Sequence, residues 1–238
     1  GSFEELSNLS SQSKNRYILV RHGEAESNLK KVNSNLPGKQ KYHLTLRGRN
    51  QVEKSARDLQ KDKIDLIFSS DLTRCAETAK IFADSLGIKK ITFDKRLREI
   101  NMGKLNGRSN KEYQEFYSSD SEKFVKATPE GETLTDLRTR VFDFVGEFEK
   151  NHKNKTILIV SHEYSIWMLC GVFQGLSNED LLREKHRRGK DFINFAGLER
   201  LQFRNLPRDL SGQMDPHRPY IDELSLKCEK CGNKMKRV

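Results

Sequence analysis

The apolar run Tyr17-Ile18-Leu19-Val20 passes directly into Arg21-His22-Gly23-Glu24, and this junction constrains the chain more than any other stretch. A short unbroken apolar run fits a strand buried on both faces. In open α/β sheets, ligand sites form at the carboxyl ends of such strands. There an arginine can fork onto phosphate oxygens, a glycine lets the backbone turn tightly, and an imidazole is left as a nucleophile. Arg-His-Gly alone recurs by chance, so the reading needs further features.

A second apolar run, Ile64 to Phe68, ends in Ser69-Ser70-Asp71-Leu72-Thr73-Arg74 ahead of a helical pattern from Cys75 to Leu86. Arg74 therefore sits one turn into a helix that begins at a strand end, near its N-terminal amide dipoles. A third run, Ile157 to Val160, ends in Ser161-His162, and a loop carries Arg98-Glu99-Ile100-Asn101-Met102-Gly103. Leu134, Leu137, Val141, Val145 and Phe148 mark one face of an amphipathic helix. Other helices are expected over Leu46 to Leu59, Leu72 to Leu86 and Tyr164 to Phe173. Phe192 to Phe203 alternates like a closing strand pair, and polar residues 105–132 suit a lid. Strands alternating with helices predict an α/β three-layer sandwich, a central, mostly parallel sheet with helices on both faces.

Residues from about 16 to 205 resemble the histidine phosphatase superfamily, which includes cofactor-dependent phosphoglycerate mutases. Arg21 to Glu24 matches its Arg-His-Gly-Glu opening, Leu44 to Gln51 its Leu-Thr-x-x-Gly-x-x-Gln segment and Ser70 to Thr78 its Ser-x-x-x-Arg-x-x-x-Thr segment. The acid-bearing loop, Pro129 to Glu132 and the closing Ser161-His162 follow in family order. The resemblance implies that His22 attacks phosphorus and becomes phosphohistidine. Arg21, Arg74 and His162 would hold the equatorial oxygens, with Asn28 as a further phosphate contact. His162 is expected as an imidazolium. Glu99 would be the general acid and then the base, a role that needs a raised carboxyl pKa. No cofactor or metal is implied for catalysis. The expected substrate is a phosphorylated small molecule or nucleotide, and short connections favour a phosphatase over a mutase. A phosphate-binding module without turnover is the non-enzymatic alternative. Glu132 is expected to support the start of the next helix. Two departures stand out: Glu163 replaces the glycine usual after the histidine and is expected to point outward, and Ala25 replaces a hydroxyl residue.

Both chain ends fall outside that family. Asp215-Pro216-His217-Arg218-Pro219-Tyr220 leads into Cys228-Glu229-Lys230-Cys231, and this passage resembles isoleucyl-tRNA synthetase, as does Phe3-Glu4-Glu5-Leu6. The resemblance implies a phosphatase domain at 15–206 inserted into a synthetase, with host-like flanks at 1–14 and 207–238. Cys228 and Cys231 would then be half of a structural zinc site whose partner pair lies elsewhere in the host. The first fifteen residues are expected to be poorly anchored. Cys75 and Cys170 read as buried thiols, and with no signal peptide or membrane-length apolar run the chain reads as cytoplasmic, without a membrane partner. The net charge of +10, partly concentrated in Arg183 to Lys190, reads as a solvated face or as attraction for tRNA or phosphorylated substrates.

Overall fold

The computed structural model describes residues 2–35, 41–189 and 191–203. Strands β1 (Arg16–Arg21), β2 (Leu66–Ser69), β3 (Ile91–Phe93), β4 (Thr156–Ser161) and β5 (Leu198–Leu201) form one sheet in the order β3-β2-β4-β1-β5. The first four run parallel, and β5 pairs antiparallel with β1 at an edge. This is the three-layer α/β arrangement expected.

Alternation along the central strands decides what lies on each face. Tyr17, Leu19, Ile157 and Ile159 join one apolar cluster, while Ile18, Val20, Leu158 and Val160 join another. Every one of these residues is buried, which is why the sequence reads as unbroken apolar runs rather than as an alternating pattern. The first face packs against α1 (Phe3–Ser13), α6 (Leu134–Asn151) and α7 (Glu163–Gln174); the second is covered by α3 (Leu46–Asp58) and α4 (Thr73–Leu86). Fully burying each such Leu, Ile or Val contributes roughly 1.5–3 kcal/mol. Thr45 and Thr133 cap α3 and α6 through their hydroxyls. Gly87 (φ 69°) and Gly175 (φ 61°) end α4 and α7 in the left-handed region.

Short helices α2 (Glu26–Leu29), α5 (Asn110–Glu115) and α8 (Asn178–Arg188) complete the fold. The lid region folds as α5 plus a 3₁₀ turn at Asp120–Phe124, and it buries Tyr113, Tyr117 and Phe124 in the first core.

Two expectations are corrected. The first fifteen residues are anchored: Ser2 and Glu5 form a capping box for α1, and Leu6 is buried against the core containing α6. Ser13 and Asn15 also bond the buried Glu149 of α6. Phe192 to Phe203 holds only the single strand β5 rather than a strand pair. Its first part turns over the end of β1, with Ala196 (φ 55°) donating its N–H to Arg21 O at 3.1 Å. The region 207–238, including Cys228 and Cys231, lies outside the described residues. Cys75 and Cys170 are buried free thiols. No described helix is long and apolar enough to cross a membrane.

Candidate active site

Three neighbouring strands deliver the chemistry-bearing residues to one place. In the parallel register Arg21 faces Ser161 across β1–β4, and Ser69 faces Val160 across β2–β4. Residues just beyond these ends therefore converge: His22 after β1, His162 after β4 and Arg74 in the first turn of α4. Backbone bonds continue the ladder, His22 N–H donating to Ser161 O and Ser70 N–H to Val160 O, both at 3.0 Å.

The turn after β1 is held by close backbone approach. A Cβ on Gly23 would lie 2.5 Å from Gly48 O, and one on Gly48 would lie 2.0 Å from Glu24 O. Gly23 keeps a negative φ, so glycine is needed here for contact with α3 rather than for left-handed backbone. Thr45 Oγ1 donates to Glu24 Oε1 (2.9 Å), and Gln51 Oε1 accepts from Glu24 N (3.0 Å). The Leu44 to Gln51 segment thus acts as a brace for the histidine turn.

The two imidazoles are buried on either side of Arg74, their ring centroids 5.2 Å apart. His22 Nδ1 lies 2.8 Å from Gly23 O. A carbonyl only accepts, so Nδ1 carries the proton and Nε2 bears the lone pair. That lone pair accepts from Arg74 Nε at 3.0 Å. His162 Nδ1 accepts from Arg74 Nη2 (2.9 Å), and its Nε2 donates to Ser70 Oγ (2.9 Å). Burial, reinforced by Arg74, holds both rings well below the ordinary imidazole pKa of 6.5. Burial and Arg74 thus favour the neutral ring of His162; the imidazolium was expected beside a phosphate dianion, whose charge acts in the opposite direction.

Arg21 is fixed on several sides. Nη1 donates to Ile193 O (2.7 Å), Nη2 pairs with Glu163 Oε2 (3.0 Å), and the Phe195 ring centroid lies 4.2 Å from Cζ. Its Nε is buried and has no hydrogen-bond partner among the described residues. Glu163 thus points inward onto Arg21, contrary to expectation, because Lys185 Nζ (2.7 Å) and Phe192 N–H (3.0 Å) hold its other oxygen.

Glu99 is partly buried, and its Oε1 accepts from Ile100 N–H at 3.1 Å. Burial raises its carboxyl to about 6, with Arg74 and Arg21 pulling the other way and Glu163 adding to the rise. The loop around it is held from outside. Arg98 pairs with Asp71 (2.5 Å), and Ser165 Oγ donates to Arg98 O (2.6 Å). Arg140 donates to Arg96 O (2.5 Å) and Glu99 O (3.0 Å). Glu132 does not cap α6, a place taken by Thr133 and Asp136. It pairs instead with Arg140 (2.6 Å) and accepts from Asn101 N–H (2.7 Å). Asn28 spends its Oδ1 on Ala25 N–H (2.9 Å), and among the described residues its side chain makes no hydrogen bond to Arg21, His22, Arg74 or His162.

Sequence reasoning passed over several supports. Ser70 and Thr78 lie in the quoted arginine segment, and Thr78 Oγ1 accepts from Gly23 N–H (3.2 Å) while donating to Arg74 O (2.7 Å). Arg140, Lys185 and Phe195 carry no local signal. Among the described residues no cluster of three or more His, Cys, Asp or Glu forms a metal site.

The model of the histidine phosphatase superfamily (branch 1) matches residues 17–191. Phosphoserine phosphatase 1 of Hydrogenobacter thermophilus is 33% identical over 152 residues, 62% of this chain and 70% of that protein. The 2,3-bisphosphoglycerate-dependent phosphoglycerate mutase of Bartonella bacilliformis is 27% identical over 187 residues, 74% of this chain and 89% of that protein. A solved mycobacterial glucosyl-3-phosphoglycerate phosphatase complexed with VO3 has a TM-score of 0.68 at 22% identity, covering 79% of this chain and 96% of that one, a likeness of fold. With its strand-end histidines, bridging arginine and raised glutamate in family order, the chain belongs to the histidine phosphatase superfamily.

Proposed function

We propose that the chain hydrolyses phosphomonoesters through a phosphohistidine. One observation carries this reading: His22 Nδ1–H is committed to Gly23 O, so an unprotonated Nε2 faces the Arg74 guanidinium. In the proposed reaction Nε2 forms a bond to phosphorus as the ester P–O bond breaks, and Glu99 gives its proton to the leaving oxygen. Water then attacks phosphorus, Glu99 takes back a proton and the N–P bond breaks. Arg74, Arg21 Nε and His162 stabilise the charge on the equatorial oxygens, with Asn28 as a further contact, and no metal enters the scheme.

Phosphoserine phosphatase and phosphoglycerate mutase relatives leave two fates for the phosphohistidine, water or a second hydroxyl. The test is hydrolysis of an aryl phosphate in chelator-treated buffer by the parent and by His22→Ala. Turnover that disappears in the variant, with an acid-labile phosphoryl group trapped on the parent, supports the reading. Phosphate binding without turnover favours a binding module, and transfer to an added alcohol in preference to water favours a mutase.

For the chain ends, the inferred setting is a cytosolic isoleucyl-tRNA synthetase into which this domain is inserted. It rests on the synthetase-like residues at both ends and on buried, unpaired Cys75 and Cys170. The native polypeptide, detected with an antibody to this domain, should then run at synthetase size; migration near the mass of this chain would refute it. A direct tRNA contact through α8 gains little support, because Arg183, Lys185, Arg187 and Arg188 are each paired with carboxylates.

A further inference from the structure

Glu163 stands at the head of α7, directly after His162, and its side chain is 15% exposed. It joins two cations, Arg21 at 3.0 Å and Lys185 at 2.7 Å. Burial opposes its ionisation, but Arg21 and Lys185 outweigh burial and keep the carboxyl below its ordinary range. Asp191 approaches the other end of the same guanidinium at 3.8 Å. Arg21 and Lys185 are thus balanced by Glu163 and Asp191 before any ligand arrives.

The surrounding cations are committed too. Arg98 pairs with Asp71 (2.5 Å), Arg140 with Glu132 (2.6 Å) and Lys123 with Asp120 (2.5 Å). The Arg74 guanidinium has only His22, His162 and Ser34 as hydrogen-bond partners among the described residues. Arg74 and the unpartnered Nε of Arg21 suit one phosphate group. A second anion close to that phosphate would meet no uncommitted cation among these residues and would face the Glu163 carboxylate in a weakly screened setting.

We propose that Glu163 makes the site select against a second anionic group near the phosphate, so that its substrates are phosphomonoesters of uncharged or cationic alcohols. The selection is by charge repulsion against wrong ligands. It rests on the phosphate site assigned above but not on turnover.

The test compares calorimetric affinities of orthophosphate and pyrophosphate for the parent, Glu163→Gln and Lys185→Met. Gln keeps an oxygen able to accept from Arg21 while removing the charge. The parent should bind pyrophosphate no more tightly than orthophosphate. Glu163→Gln should raise the affinity of pyrophosphate relative to orthophosphate about tenfold. Lys185→Met, which leaves the carboxylate less neutralised, should lower that ratio by roughly threefold. A ratio that stays within about twofold of the parent's in both variants overturns the proposal. The phosphatase reading fails separately: expected ratio shifts without aryl phosphate turnover would sink hydrolysis and leave this selectivity standing. Turnover with unmoved ratios would do the reverse.

Discussion

Two clusters of buried polar groups occupy opposite ends of β1, and they differ in what their bonding leaves over. At the amino end, buried Glu149 accepts from Ser13 Oγ, Tyr17 OH and Asn15 Nδ2, and Asn15 also donates to His152 O at 2.9 Å. At the carboxyl end, Arg74 spans two imidazoles, His22 Nε2 accepts from it, and Arg21 Nε has no partner among the described residues. The first cluster closes on itself and ties α1 to α6. The second leaves the Arg21 Nε–H donor unused, and the His22 Nε2 lone pair is engaged by Arg74 alone, beside Glu99, whose carboxyl is raised. Burial of charge is common to both, so residual bonding capacity is what separates a site from a strut.

This contrast can be broken by experiment. The largest effect should come from Arg74→Ala, with kcat/KM for an aryl phosphate falling roughly 10³-fold. The melting temperature should stay within a few degrees, since no carboxylate loses its partner. A variant that unfolds while its surviving molecules keep full activity would assign Arg74 to the scaffold. Glu149→Ala should do the opposite. It strands three donors in the interior and should cost about 3 kcal/mol of stability, read by denaturant unfolding, with kcat per folded molecule unchanged. Loss of turnover without loss of stability would make the amino-end cluster part of the site.

The smallest effect is in the pH profile. Glu99 is held up at about 6 chiefly by burial, so its protonated, proton-donating fraction falls as pH rises past that value. For an alkyl phosphate with a poor leaving group, kcat/KM should drop about tenfold per pH unit on the alkaline limb. In Glu99→Gln that limb should vanish along with most of the rate. A profile flat up to pH 8 in the parent would remove Glu99 as the acid. Stability should show the same sign on a smaller scale. The raised folded-state pKa contributes stability that is present below about 4.5, the ordinary value, and is lost as pH rises through about 6.

Much of the fold was legible because the strands are buried on both faces, and such strands write themselves as unbroken apolar runs. The expected helix over Leu46 to Leu59 folds as Leu46–Asp58, and that over Tyr164 to Phe173 as Glu163–Gln174. β3 went unpredicted because two half-buried residues and the exposed Phe93 carry no periodicity, and α8 because its only buried residue is Leu181. The anchoring of α1 was equally hidden, since it depends on Glu149 some 130 positions away.

What the sequence by itself determined is local: which apolar runs become strands, and that Arg21, His22, Arg74 and His162 lie at or just beyond strand ends. Chain connectivity and side-chain period set those features. Only the tertiary structure decided the β3-β2-β4-β1-β5 order that brings three strand ends into register, the tautomers of the two imidazoles and the inward turn of Glu163. Each depends on partners remote in sequence: Ser161 for β1, Arg74 for the histidines, Lys185 and Phe192 for Glu163. A carboxylate is turned toward the interior only where cations hold it, and here folding brings two cations to Glu163.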